Sequence, residues 1–247
     1  MDGMWFWTVA LIASLFVGMG KGGLPVVGML GVPVLSLAIS PIAAAGLLLP
    51  VYVLSDMFGL YAYRKEFDRR VLAIVVPGMI FGVGLGWATA HIVPEWAVTT
   101  LVGMIGTVFA LNALLRKPVD GPPRRAEVAP GVCWGTIAGF TSFVSHTGGP
   151  PYQVYTLPLR MTKTVFAGTS TIAFAIINAV KLVPYYFLDQ LNPSNLKIAL
   201  VLMPPAALAV FAGVRLVRWL PEKLFFQIVT WALLAVSLKL IYDGLLG

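Results

Sequence analysis

The sequence predicts an all-α polytopic membrane protein of two inverted repeats, each a broken re-entrant hairpin followed by three transmembrane helices. Three observations predict it. Hydrophobic residues make up 59% of the chain and charged ones only 11%, too few for the surface of a soluble domain this long. Apolar runs of about 20 residues, enough to cross a hydrocarbon core, recur along it. Two distant stretches align without a gap, while the loops that flank them differ in charge.

The elements follow in order. Residues 4–39 are apolar but interrupted by "GKGGLP" (20–25). This stretch lacks the positive leader of a signal peptide, its only early charge being Asp2, and is expected to stay in the mature protein. Spans are predicted at 40–63, 71–93 and 95–115. A cytoplasmic linker over 116–130 leads to a second interrupted stretch, 131–161, broken by "SHTGGPP" (145–151). Spans at 164–188, 196–217 and 223–246 complete the chain. The first repeat is thus expected over 1–115 and the second over 131–247.

Charge sets the orientation. Of 17 lysines and arginines, 13 fall in "RKEFDRR" (64–70), "RKPVDGPPRR" (116–125), "RMTK" (160–163) and "RLVRWLPEK" (215–223). By the positive-inside rule these face the cytoplasm. "HIVPE" (91–95) and "LDQLNPSN" (188–195) carry neither residue and are expected outside, with both termini periplasmic. The net charge of +7 therefore reads as an orientation signal rather than as a nucleic-acid surface.

The repeat runs through "PGMIFGVGLGWATAHIVPE" (77–95) and "PPAALAVFAGVRLVRWLPE" (204–222). Pro77 meets Pro204, Gly86 meets Gly213, and Pro94-Glu95 meets Pro221-Glu222. Upstream, "GGLP" (22–25) meets "GGPP" (148–151), and after a short shift Asp56 meets Asn178. Equivalent loops differ in charge, so the halves are inverted, which demands an odd number of crossings per half. Three spans plus a hairpin that enters and leaves on one side satisfy the parity; a fully spanning arm needs an extra crossing.

"GMGKGGLP" (18–25) carries the spacing of a dinucleotide fingerprint. No strand–helix–strand pattern surrounds it, and Lys21 is followed by glycine rather than the Ser or Thr of a phosphate loop. It reads as a helix break. Non-helical backbone at membrane depth must be buried in protein or line a wet cavity. Glycines leave amides open to close approach, Pro25 and Pro150-Pro151 suit the first turn of a restarting helix, and a helix N-terminus favours an anion. Close packing by small residues is the competing explanation. It suits "GVGLG" (82–86) better than a glycine pair beside Lys21 or His146.

Ionisable groups inside a membrane are costly and draw attention as functional. The residues expected to bind a small anion are Lys21, Gly22 and Gly23 at the first break. At the second they are Ser145, His146, Thr147, Gly148 and Gly149, with Tyr152 and Gln153 beyond it. Asn178 and Lys181, spaced to share a helix face, complete the set. Asp56 and His146 are the candidates for proton coupling. Each has a structural alternative: an ion pair or cap for Asp56, a tether for the break at His146, and snorkelling to the outer interface for Lys181 and Lys239. His91 lies near a loop and is discounted. Cys133 stands alone, which excludes an internal disulfide. No metal-ligand spacing, cofactor motif or nucleophile elbow is found, so neither a metal site nor an enzyme is expected.

"GKGGLPVVGMLGVPVLSL", "DMFGLYAYRKEFDRRVL" and above all "GFTSFVSHTGGPPYQVYTLPLRMTKTVFAGTSTIAFAIINAVKLVPYY" resemble the TauE/SafE sulfite exporter family across essentially the whole chain. Many members begin the first break with a longer glycine run, which Lys21 interrupts here. The resemblance implies transport of small sulfur oxoanions or organosulfonates such as sulfoacetate, generally outward across the bacterial inner membrane. The partners so implied are a small anion and the lipid bilayer. Alternating access about a midplane site is the expected mechanism; a passive anion channel with the same lining is the alternative. The sequence is silent on oligomeric state.

Overall fold

In a computed structural model the protein is helical. The structure describes residues 3–90, 92, 94–115, 123–188, 191 and 193–246. The helices, in chain order, are α1 (Met4–Lys21), α2 (Pro25–Gly28), α3 (Gly31–Leu35), α4 (Pro41–Tyr63), α5 (Arg69–Ala88) and α6 (Glu95–Leu115). They continue with α7 (Val128–Ser145), α8 (Gly149–Thr156), a 3-10 turn (Leu157–Leu159), α9 (Lys163–Phe187), α10 (Pro193–Trp219) and α11 (Glu222–Leu246). No strand occurs among the described residues. His91, residues 116–122 of the expected linker and part of the 188–195 loop lie outside them.

Six of these helices are long and apolar enough to cross a membrane: α1, α4, α5, α9, α10 and α11. This is the all-α, polytopic architecture that composition predicts. α1 joins the spans by length, while the apolar part of α6 is the shorter Thr99–Asn112. Their ends follow ordinary capping chemistry. The Ser40 hydroxyl accepts from Ala43 N at 3.4 Å, and Asp68 Oδ1 accepts from Val71 N at 2.9 Å. Pro50, Pro77, Pro184, Pro204 and Pro205 sit inside helices, as membrane helices tolerate when neighbours satisfy the freed carbonyls.

Both interrupted stretches fold back on themselves. α1 ends where Gly22 N donates to Gly18 O at 2.9 Å. Gly23 then turns the chain with φ 104°, a conformation that only glycine adopts without strain. α2 and α3 return along α1, so that Gly28 packs on Gly20 and Gly31 on Val17 and the Ala13 carbonyl. The second break uses a different device. His146, at φ 55°, is left-handed and caps α7, and α8 restarts with Pro150 and Pro151 in its first turn. α8 returns along α7, with the Tyr155 hydroxyl donating to Glu127 O at 3.0 Å.

The chain forms two compact units, each drawing on both halves of the sequence. The first comprises Met1–Phe67 and Ala167–Leu220. In it α1 packs on α10 and α4, around a core that includes Val9, Ala13, Val17, Leu35, Leu48, Leu202 and Ala206. The second comprises Asp68–Phe166 and Pro221–Gly247, where α5 packs on α7 and α6 on α11. Each hairpin therefore lies against a helix from the other half of the chain. Gly213 of α10 abuts Met19 and Gly22, and its aligned counterpart Gly86 of α5 abuts Phe143, just before the second break.

The α5–α7 contact is backbone on backbone. Gly78 and Gly82 face Val132, Thr136 and Phe140, and Gly135 and Gly139 face Val75 and Met79. Small residues on both helices permit this approach. A Cβ at Gly82 would lie 2.7 Å from Phe140 N and nearer still to the Thr136 carbonyl, whereas one at Gly84 meets nothing within 4 Å. Gly82→Val is expected to lower stability by about 1–3 kcal/mol. Gly84→Ala should be neutral or stabilising by up to about 1 kcal/mol. Thermal unfolding of the two variants in detergent checks the contrast, and equal melting temperatures would contradict this interface.

Candidate functional site

The first unit buries a cluster of charge. On α4, residues 52, 56, 59 and 63 recur at helical spacing and line one face. On α9, residues 171, 178 and 181 do the same. The end of α1 delivers Lys21 between these stripes. Lys21 Nζ lies 2.7 Å from Asp56 Oδ1, and Asn178 Nδ2 donates to Asp56 Oδ2 at 2.8 Å. Both carboxylate oxygens are thus engaged. Lys21 Nζ also sits 5.2 Å from the centroid of the Tyr52 ring, in cation–π range. Lys181 is completely buried, at 0% exposure, and lies within electrostatic reach of both Lys21 and Asp56. Complete burial does not fit snorkelling.

Three hydroxyls hold the break in place. Tyr63 donates to Gly22 O at 2.7 Å, Tyr52 to Gly28 O at 2.7 Å, and Thr171 to Lys21 O at 3.3 Å. The Lys21 and Gly22 carbonyls, left over where α1 stops, are thereby satisfied inside the protein, while the Tyr52 bond serves the last carbonyl of α2. Gly59 allows the approach: a Cβ there would lie 2.8 Å from Lys21 O and 2.7 Å from Thr171 Cγ2. Sequence reasoning passed over Tyr52, Gly59, Tyr63 and Thr171. The signal was present, because the first three share the face of Asp56 and Thr171 shares that of Asn178.

α2 has four residues, a single turn in which little macrodipole accumulates. The basic side chains buried in this cluster are Lys21 and Lys181, with Asp56 beside Lys21.

The second unit holds the other predicted residues. Ser145 ends α7, and its side chain lies outside the description. His146 and Thr147 are buried. Thr147 N donates to Thr141 O at 3.3 Å, and the Thr141 hydroxyl reaches back to Thr147 O at 3.4 Å. Gly148 and Gly149 lead into α8, where Tyr152 and Gln153 are buried. The structure therefore brings Lys21, Gly22, Gly23, Asp56, Asn178 and Lys181 together in one unit, and Ser145 to Gln153 belong to the other. Lys239 pairs with Asp243 one turn on, both partly exposed. Among the described residues no group of three or more His, Cys, Asp or Glu could hold a metal, and Cys133 is exposed.

A buried ion pair costs most when half of it is removed. Asp56→Ala leaves Lys21 without its counter-charge and is expected to lower stability by about 3–5 kcal/mol. Adding Lys21→Met should recover much of that loss. A double-mutant cycle on unfolding in detergent measures it; strict additivity of the two substitutions would contradict the coupling.

Comparison with known proteins agrees with this architecture. No curated protein matches the chain, and no solved structure does. A family model described as sulfite exporter TauE/SafE matches residues 8–240, nearly the whole length. The chain belongs to the sulfite exporter TauE/SafE family.

Proposed function

We propose that this membrane transporter carries a small sulfur oxoanion or organosulfonate, such as sulfite or sulfoacetate, outward across a bacterial inner membrane by alternating access. One observation carries the reading: Lys21 and Lys181 are buried around a single carboxylate, Asp56, beside a break in a membrane helix. Charge this expensive to bury favours an anionic ligand that completes it. In this reading Asp56 is the resting counter-charge. An incoming anion competes for Lys21 and takes a donor from Asn178, and Asp56 or His146 couples proton movement.

The repeat supports the same place. Asp56 and Asn178 are aligned positions of the two repeats, and they hydrogen-bond to one another. A residue and its repeat mate touch only near the axis that relates the repeats, where inverted-repeat transporters hold their substrates. The two folded-back stretches serve as re-entrant hairpins, and the first break, Lys21 to Gly23, lines the path beside Asp56 and Asn178. The basic loops face the cytoplasm and both termini the periplasm.

Counterflow of labelled sulfite and sulfoacetate in proteoliposomes, with and without a pH gradient, tests the proposal. Saturable counterflow of either is expected, and its acceleration by the gradient supports proton coupling. No flux of either anion in vesicles holding folded protein overturns the substrate assignment; unsaturable flux without counterflow identifies a channel. Lys181→Gln removes a charge-assisted contact of about 1.5–3 kcal/mol. It is expected to weaken half-saturation by roughly ten- to a hundredfold. Unchanged half-saturation would remove Lys181 from the site.

A further inference from the structure

We infer that the second unit carries a binding site for the phosphate of an anionic membrane lipid, in the cavity between the start of α7 and the end of α8.

The site grows from the segment that leads into α7, which holds Arg124, Arg125 and Glu127, all exposed. A basic stretch beside a membrane helix ordinarily serves as an orientation signal, for which charge suffices and no particular shape is needed. This stretch has a shape. Arg124 N donates to Pro158 O at 3.2 Å, Arg70 Nε donates to Ala126 O at 3.1 Å, and the Tyr155 hydroxyl donates to Glu127 O at 3.0 Å. The 3-10 turn, α5 and α8 thus contribute one bond each, and the main chain from 124 to 127 is fixed at three points. All of these residues belong to the second unit.

Against this segment lies a cavity of about 320 Å³. Arg124, Arg125 and Glu127 supply its charge, and Trp134, Val154 and Leu159 much of its apolar wall. Two cations against one carboxylate leave the lining positive. Neither guanidinium forms an ion pair among the described residues.

The chemistry of the lining specifies the ligand. A guanidinium presents paired N–H groups that match a phosphate bidentately. A free inorganic anion would use the arginines but has no use for the apolar wall. A phospholipid uses both. Its phosphodiester sits on Arg124 and Arg125, and its glycerol backbone and first acyl methylenes lie on Val154 and Leu159. The Trp134 indole stands at the boundary between the two, the level that amphipathic rings favour in a bilayer. Glu127 accepts from the hydroxyls of a glycerol head and repels a second phosphate, so a monoanionic headgroup suits the site. Basic pockets at the ends of membrane helices hold anionic headgroups in this way.

Titration of the full-length protein in detergent with phosphatidylglycerol and phosphatidylcholine, labelled on identical acyl chains, tests the assignment. The wild type should bind phosphatidylglycerol about tenfold or more tightly, because the choline head sets a cation beside the arginines. Arg124→Gln combined with Arg125→Gln should abolish the preference, and both side chains are exposed, so the fold should survive. Arg215→Gln combined with Lys223→Gln removes two exposed basic charges from outside the cavity and should preserve it. Equal binding of the two lipids by the wild type overturns the site, as does a preference that persists without Arg124 and Arg125. An equal loss in the second pair identifies diffuse attraction and overturns it too. Excess glycerol 3-phosphate should leave the lipid bound; complete displacement assigns the cavity to a soluble phosphate and overturns the lipid.

Discussion

Everything at the first break depends on one ion pair, Lys21 with Asp56, sealed from water. A lysine at the end of a membrane helix ordinarily reaches for the interface. Here Asp56 draws it inward, and α4 must come close enough to meet it. Gly59 makes that approach possible, and the Tyr52 and Tyr63 hydroxyls turn it into hydrogen bonds with the broken backbone. Pair, break and helix contact form one interdependent construction. Loss of the carboxylate affects all three, because the remaining ammonium has no comparable partner on α4.

The two breaks solve one problem with different chemistry. The first turns on a glycine at positive φ and borrows hydroxyls from α4 and α9 to satisfy its carbonyls. The second turns on a left-handed histidine and satisfies itself locally, through the reciprocal contact of Thr141 and Thr147. Charge accompanies the first and neutral polar groups the second.

Much of this was legible in the chain. Hydropathy marked the spans, and glycine with proline marked the breaks, because both signals depend only on local sequence. Asp56 and Asn178 each stood out as a polar residue within an apolar span, but the hydrogen bond between them did not. The partnership of Lys21 with Asp56 was not legible, since it depends on how far α1 runs before it breaks and how α4 is rotated against it. Tyr52 and Tyr63 were hidden among many membrane aromatics, because a tyrosine that satisfies a carbonyl reads the same as one that faces lipid. The mixing of both sequence halves within each compact unit is equally invisible to composition, being a matter of which helix packs on which.

The glycine contact between α5 and α7 has a mechanical consequence. Where backbone meets backbone there are no rotamers to rearrange, so the two helices lack the small adjustments by which packed side chains let one helix slide past another. Resistance to sliding therefore resides in the main chain itself: a single methyl group added at Gly139 would fall against the Met79 carbonyl and force the pair to shift.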